Sequence, residues 1–218
     1  MKNIRILFLC LGVLVLLTGC TTASNDAARR EAALPQTQGG QAITECSQVL
    51  KNIWQCYTDA ERFSAFGGEA ENSIADEPGD LPINNAAMLH QRFLLTEELS
   101  AQITEAAALE QLFSRNVFCA GVFSLKEGTD CAQFSHKLSL SFEEHPWDGG
   151  SPQRYLIAEP VTGFLLLAYG QTSVLETFLI RMNQAYPNGR ILAYQEIPAK
   201  TPPQGLHPAN SEAVSISV

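Results

Sequence analysis

Apolar residues recur at helical spacing in the first half of the chain's central region. An i, i+3, i+4 pattern predicts an amphipathic helix over residues 44–65, ended by Gly67 and Gly68. A second helix is predicted over residues 85–113, where apolar residues are interspersed with helix-favouring alanine and glutamate. The apolar side of the first predicted helix consists of Val49, Leu50, Ile53, Trp54 and Tyr57.

The apolar period changes from helical spacing to two after residue 116. Leu138, Leu140 and Phe142 alternate with polar residues, which predicts a strand with one buried face. The segment 164–168 is continuously apolar, and this favours a central strand covered on both faces. Further strands are predicted over residues 118–125, 155–159 and 164–169, the last two joined by a short hairpin turn.

One more helix and one more strand complete the predicted domain. Ser173 and Glu176 have the spacing of a capping box, which predicts that a helix begins there and ends at the Pro-Asn-Gly sequence of residues 187–189. A last strand follows over residues 190–197. The order α-α-β-β-β-β-α-β predicts an α+β fold, with a mostly antiparallel sheet of about five strands and helices packed on one face.

The first twenty residues have the pattern of an export signal. Lys2 and Arg5 precede an apolar run, residues 6–17, that is shorter than the roughly 20 residues needed to span a bilayer. The run ends in Leu-Thr-Gly-Cys at residues 17–20, which resembles the lipobox of bacterial lipoproteins. The resemblance implies that Cys20 becomes the lipidated amino terminus, and that Thr21 after it directs sorting to the outer membrane.

The resemblance and the composition together divide the chain into four parts. Residues 1–19 are the predicted lipoprotein signal peptide, and residues 20–42 are the predicted lipidated Cys20 with a flexible tether rich in Thr, Ala, Gln and Gly. Residues 43–197 form a single predicted α+β domain. Residues 198–218 carry four prolines among small polar residues and are predicted to be a disordered tail.

The net negative charge of the chain argues against a nucleic-acid partner and against direct binding of the protein surface to a membrane. Lys and Arg number 14 against 23 Asp and Glu, for a formal charge of -9, which argues against nucleic-acid binding because phosphate contacts need clustered cations. Membrane attachment is therefore predicted through the lipid on Cys20, since several acyl chains anchor a protein without help from its surface charge.

Four cysteines remain in the predicted domain, and an exported protein is expected to use them in disulfides. A continuous first helix would hold Cys46 and Cys56 roughly 15 Å apart, beyond the limit of about 7 Å on Cα separation in a disulfide. Bridges are therefore predicted from this helix to Cys119 and Cys131. If the helix breaks near Trp54, the local pairings Cys46–Cys56 and Cys119–Cys131 become the alternative. A third alternative is that the thiols are free and buried. A metal or redox site is not expected, because the cysteine spacings typical of such sites are missing.

The densest polar segment of the sequence, residues 136–148, holds the candidate site residues. His145 and Asp148 lie across a turn and are weak candidates for an acid–base pair or for two metal ligands. No further convergent groups accompany them in the sequence, so no catalytic residue, metal or cofactor is predicted. Trp147 lies between them on a Gly- and Pro-containing loop and is a candidate anchor for a partner, or it covers an edge of the core.

These observations lead to one functional prediction and one alternative. We expect a non-enzymatic, lipid-anchored interaction or assembly module of the bacterial cell envelope, held at the outer membrane and facing the periplasm, with another envelope protein as its partner. The alternative is an envelope hydrolase or metal-dependent enzyme with a site near His145 and Asp148.

Overall fold

The computed structural model describes residues 37–38, 41–147 and 152–198. The predicted signal peptide, Cys20, Asp148 and the chain from residue 199 onward lie outside these residues. Within the described part of the chain, no helix is both long enough and apolar enough to cross a bilayer.

The described residues form ten strands and five α-helices. In chain order they are β1 (Thr37–Gln38), β2 (Gln41–Ala42), α1 (Cys46–Gln55), β3 (Ala65–Gly67), a 3₁₀ turn (Ala70–Asn72), β4 (Ile74–Ala75), β5 (Gly79–Leu81), α2 (Ala86–Phe93), α3 (Glu97–Ser100), β6 (Ile103–Gln111), β7 (Phe118–Leu125), α4 (Cys131–Glu144), β8 (Arg154–Val161), β9 (Phe164–Gly170), α5 (Thr172–Ala185) and β10 (Arg190–Glu196).

Eight of the strands form one antiparallel sheet, with the order β10-β8-β9-β7-β6-β3-β4 and with β5 paired to β6 beside β3. The predicted α+β class with an antiparallel sheet is confirmed. The sheet has eight strands where about five were predicted, and the order of the elements differs. Among the described strands, β1 and β2 pair with each other and with no other strand.

Helices cover both faces of the sheet, so the prediction that they pack on one face is wrong. One apolar cluster joins α1 and α5 to the sheet, and a second cluster joins α2, α3 and α4 to the opposite face. The physical reason is the composition of β9, in which all seven residues are buried. A strand that is apolar on both sides has to be covered from both sides, as the prediction of a central β9 already implied.

The first predicted helix is shorter than its sequence pattern indicates. Helix α1 ends at Gln55 because the chain then turns, with Glu61 Oε2 accepting hydrogen bonds from the Thr58 backbone and hydroxyl at 2.9 Å each. At the other end, the N–H of Cys46 donates to Glu105 Oε1 at 2.7 Å. A carboxylate at this position stabilises the helix because it faces the positive end of the helix dipole.

The second predicted helix, residues 85–113, is replaced by two helices and a strand. Leu94 adopts a left-handed conformation with φ of 56° and ends α2, and α3 is a single turn. The rest of the segment is β6, although its three consecutive alanines have the highest helix propensity. Hydrogen bonding to β7 on one side and to β3 and β5 on the other outweighs that local preference.

Two further local predictions are corrected. The predicted strand around Leu138 and Leu140 lies within helix α4, where the side chain of Asp130 accepts hydrogen bonds from two backbone N–H groups and begins the helix. Ser173 forms no capping box because α5 already begins at Thr172, whose N–H donates to Gln153 Oε1 at 2.9 Å. The predicted strands at 118–125, 155–159, 164–169 and 190–197 correspond to β7, β8, β9 and β10.

Candidate functional site

A row of polar side chains crosses the sheet on the face covered by α2, α3 and α4. Its members lie directly opposite one another on neighbouring strands, so their side chains point to the same face. The row runs from β6 to β10 and consists of Glu110, Cys119, Tyr169, Tyr155 and Gln195. It is unusual because most of this face is apolar.

A buried ion pair occupies the β6 end of the row. Glu110 is 2% exposed and Arg92 of α2 is 8% exposed, and Arg92 Nε donates to Glu110 Oε1 at 2.5 Å. Arg92 Nη2 contacts the same oxygen, and Nη1 donates to the carbonyl of Gly68 at 3.1 Å. The Tyr169 hydroxyl donates to the Arg92 carbonyl at 2.7 Å and so joins α2 to β9. Burial without these partners would cost several kcal/mol.

A cleft of about 460 Å³ adjoins this ion pair. Its volume is within the range of roughly 300–1,000 Å³ found for small-ligand sites. Arg92 lines it from α2 and Tyr169 from β9 of the sheet, and residues of the β6–β7 loop and of the segment after α4 complete it. The described lining residues are Gln91, Arg92, Leu94, Phe113, Ser114, Arg115, Asn116, His145, Trp147 and Tyr169.

Trp147 is half-buried and belongs both to the edge of the core and to the cleft. Its Nε1 donates to the Phe142 carbonyl at 3.2 Å, and its ring centroid lies 5.6 Å from that of Phe142 and 5.9 Å from that of Tyr169. Its ring packs against the apolar cluster beneath α2, α3 and α4, which is the second of the two alternatives for this residue. The exposed part of the side chain is available to a ligand in the cleft.

His145 lines the cleft next to Trp147, with ring centroids 4.6 Å apart in an edge-to-face arrangement. Its predicted companion Asp148 lies outside the described residues. Within residues 37–38, 41–147 and 152–198, no group of three or more His, Cys, Asp or Glu side chains is arranged to hold a metal ion.

The β6–β7 loop contributes residues that the sequence patterns did not identify. Gln111 Oε1 accepts hydrogen bonds from the N–H groups of Phe113 at 2.8 Å and Ser114 at 2.7 Å, which fixes the loop. Phe113 is 81% exposed, and Arg115 Nε lies 3.6 Å from Glu110 Oε2. A phenylalanine at the end of a predicted helix is normally assigned to the core, so the sequence around Phe113 did not indicate that its side chain is exposed.

The four cysteines of the described domain are free, and the predicted disulfides do not form in the structure. Cys46 and Cys56 pack against the face covered by α1 and α5, whereas Cys119 and Cys131 pack against the opposite face. The sheet therefore separates the cysteines that were expected to pair. Burial raises the pKa values of the Cys46 and Cys119 thiols, and burial together with nearby Glu159 raises that of Cys131 to about 11.

A second groove, of about 400 Å³, lies at the other end of the polar row between α4 and β10. Ser139, Glu143 and Gln195 line it, and the Tyr155 hydroxyl donates to Gln195 Oε1 at 3.1 Å. Burial raises the pKa of Tyr155 further above neutrality, where a tyrosine hydroxyl is already protonated and able to donate.

The chain matches no protein-family model, no curated protein and no solved structure. Similarity to known proteins therefore assigns no class to the fold or to the cleft.

Proposed function

We propose that the protein is a lipid-anchored interaction module of the bacterial cell envelope, and that it binds a partner envelope protein through the cleft beside Arg92. The lipid on Cys20 holds it at the outer membrane, facing the periplasm. The chain's formal charge of -9 disfavours adhesion of its surface to anionic lipid, which leaves anchoring to the acyl chains.

The observation that carries this proposal is the convergence of Phe113, Arg115 and Trp147 on one cleft. Aromatic residues and arginine supply most of the binding energy in protein interfaces, and they act best when clustered. Phe113 is the most exposed large apolar residue among the described ones, at 81%. An exposed aromatic ring beside a half-buried one and an arginine is typical of an interaction surface.

The elements around the cleft support binding because they are already ordered. The Gln111 side chain fixes the loop that carries Phe113 and Arg115, and Trp147 is hydrogen-bonded to α4. The buried pair of Arg92 and Glu110 fixes the base of the cleft. Groups that need no rearrangement lose less conformational entropy on binding.

The test is a matched pair of truncations on opposite faces of the molecule. Phe113→Ala removes the exposed ring at the cleft, and Ile180→Ala removes an apolar side chain that is 60% exposed on α5. Both variants should melt at the wild-type temperature because both side chains are largely exposed. Crosslinking and co-purification from envelopes should recover a specific protein with the wild type and with Ile180→Ala, but roughly thirtyfold less with Phe113→Ala.

Equal recovery of every bound protein by both variants would exclude the cleft as the interaction surface. Loss of the same protein from Ile180→Ala, with Phe113→Ala unaffected, would place the interaction on the α5 face.

The alternative, an envelope hydrolase or metal-dependent enzyme, draws on the single observation that His145 lines the same cleft. Under this alternative, Zn²⁺ should raise the melting temperature of the full-length protein, and His145→Ala should remove that rise. Partner capture would be unchanged by the same substitution. A melting temperature that does not respond to Zn²⁺ would argue against the metal-dependent form.

A further inference from the structure

We infer that the cleft recognises a carboxylate next to an apolar side chain on the partner polypeptide, and that Arg115 binds the carboxylate. The inference rests on the proposed function, because it specifies the chemistry of the partner segment that the cleft would accept.

The charge of the cleft is opposite to that of the whole chain. Its described lining residues include Arg92 and Arg115 and no Asp or Glu. Glu110, the carboxylate that contacts both arginines, is 2% exposed and is engaged by Arg92 through Oε1. Among the residues that the structure describes, the lining of the cleft therefore carries one more positive charge than Glu110 balances, in a chain whose formal charge is -9. This local excess favours an anionic ligand group.

Arg115 is the cation that a ligand can reach. Its side chain is 40% exposed, whereas that of Arg92 is 9% exposed. Its Nε lies 3.6 Å from Glu110 Oε2, which is an ion contact too long for a hydrogen bond. No hydrogen bond joins Arg115 to any other residue that the structure describes. Glu110 thus orients the guanidinium and leaves its donors for two oxygens of a carboxylate, which arginine binds in a bidentate manner.

The surroundings of Arg115 specify what accompanies the carboxylate. Phe113 and Trp147 line the same cleft and offer ring surface to an apolar side chain. Gln91, Ser114 and Asn116 add amide and hydroxyl groups that can hydrogen-bond a peptide backbone. A volume of about 460 Å³ accommodates a short segment of chain. These groups together match a peptide segment in which a carboxylate adjoins a large apolar residue.

The experiment compares peptides with and without a carboxylate, each titrated calorimetrically into the full-length protein. The first peptide is N-acetyl-Ala-Ala-Phe, which has a C-terminal carboxylate, and the second is the same peptide as its uncharged C-terminal amide. The third is N-acetyl-Ala-Asp-Phe amide, whose carboxylate is on the aspartate side chain. 3-Phenylpropionate represents a free small acid. At least one carboxylate peptide should bind roughly tenfold or more tightly than the uncharged amide, since charge-assisted hydrogen bonds are the strong ones. It should also bind more tightly than 3-phenylpropionate.

The variants test the role of Arg115 directly. Arg115→Gln should lower the affinity for the carboxylate peptide to that of the amide. Lys126→Gln makes the same change of charge on an exposed residue that follows the far end of β7, and it should leave both affinities unchanged. Arg115→Lys keeps the charge opposite Glu110 but loses the planar fork, so it should weaken carboxylate binding even if Arg115→Gln folds poorly.

Three results would overturn the inference: equal binding of acid and amide peptides, an unchanged affinity ratio in both Arg115 variants, or no binding of any peptide to the wild type. Equally tight binding of 3-phenylpropionate would reject a polypeptide as the ligand. Each of these results leaves the comparison of Phe113→Ala with Ile180→Ala to decide the proposed function separately.

Discussion

Glu110 accepts a hydrogen bond from Arg92, the more buried arginine beside the cleft, and both side chains are at least nine-tenths buried. Removing one partner of such a pair leaves the other charge buried and uncompensated. We therefore expect Glu110→Ala to lower the free energy of unfolding by about 3–5 kcal/mol. Urea denaturation measures this loss, and Glu127→Ala, on an exposed loop residue, is the control. A loss below about 1 kcal/mol would mean that Arg92 finds another partner.

Trp147 contributes to stability as well as to the cleft, since it contacts Phe142 and Tyr169. Truncation of a fully buried tryptophan costs about 3–5 kcal/mol. Because Trp147 is half-buried, we expect Trp147→Ala to cost about 2 kcal/mol and Trp147→Phe less than half of that. Thermal melting of both variants checks the order. A wild-type melting temperature for Trp147→Ala would show that its packing adds no stability.

Sequence patterns singled out Trp147 and His145, which line the cleft, but not its other lining residues Arg92, Phe113, Arg115 and Tyr169. An aromatic residue in a Gly- and Pro-containing segment is recognisable in the sequence. Arg92 is not recognisable in this way, because its partner Glu110 is 18 residues away and the two side chains meet through the packing of α2 on β6.

At the scale of elements, the packing of α2 on the sheet depends on a glycine in the middle of a strand. A Cβ atom added to Gly121 of β7 would lie 2.7 Å from Phe93 Cε1 and 2.9 Å from Phe123 Cζ. Gly121 therefore allows the Phe93 ring to contact the strand backbone.

We expect Gly121→Ala to destabilise the protein by about 1–3 kcal/mol, because overpacking a core forces side chains from their preferred conformations. Combining it with Phe93→Leu, which removes the ring, should cost less than the sum of the two single changes. Denaturant unfolding of the three variants measures this coupling. Strictly additive losses would indicate that Phe93 does not limit the space at Gly121.

Two segments of the chain contain patterns that fit both a helix and a strand. Leu138 and Phe142 lie two strand repeats apart, but they are also i and i+4 on a helix, and Phe134 extends that series. Segment 103–111 has a helical composition and forms β6. Segment 103–111 is a strand because it hydrogen-bonds to other strands, and the composition of the segment itself does not indicate this pairing.

At the scale of the whole molecule, the two apolar faces of the sheet determine the state of the cysteines. We expect Cys46, Cys56, Cys119 and Cys131 all to be free thiols in unfolded, unreduced protein, since the structure holds these four as free cysteines. In the native protein, Cys46 and Cys119 should not react with iodoacetamide because both are 0% exposed.

Cys131 should react slowly at pH 8 and faster toward pH 11, since a pKa of about 11 keeps its thiolate fraction small at lower pH. Mass spectrometry of alkylated digests with and without denaturant measures all four sites. A peptide that joins Cys46 or Cys56 to Cys119 or Cys131 would contradict the placement of these pairs on opposite faces.

The proposed membrane anchor also concerns the whole chain, and Cys20 lies outside the described residues. We expect Cys20→Ala to release the protein from the membrane fraction, because the acyl chains would be its only attachment. Metabolic labelling with a fatty acid should mark the wild type and leave Cys20→Ser unmarked. Absence of label on the wild type would exclude lipidation.

The sequence alone determined the α+β class, its antiparallel sheet and the positions of β7, β8, β9 and β10. Each of these strands is bounded by turn or loop residues, and β7, β8 and β9 consist mainly of buried residues, so local pattern and final burial agree. Only the tertiary structure decided that β6 is a strand, which helices cover each face of the sheet, and that Arg115 and Trp147 line one cleft. Those outcomes depend on which segments pack together across the sheet, and contacts between distant segments cannot be deduced from the periodicity of either segment alone.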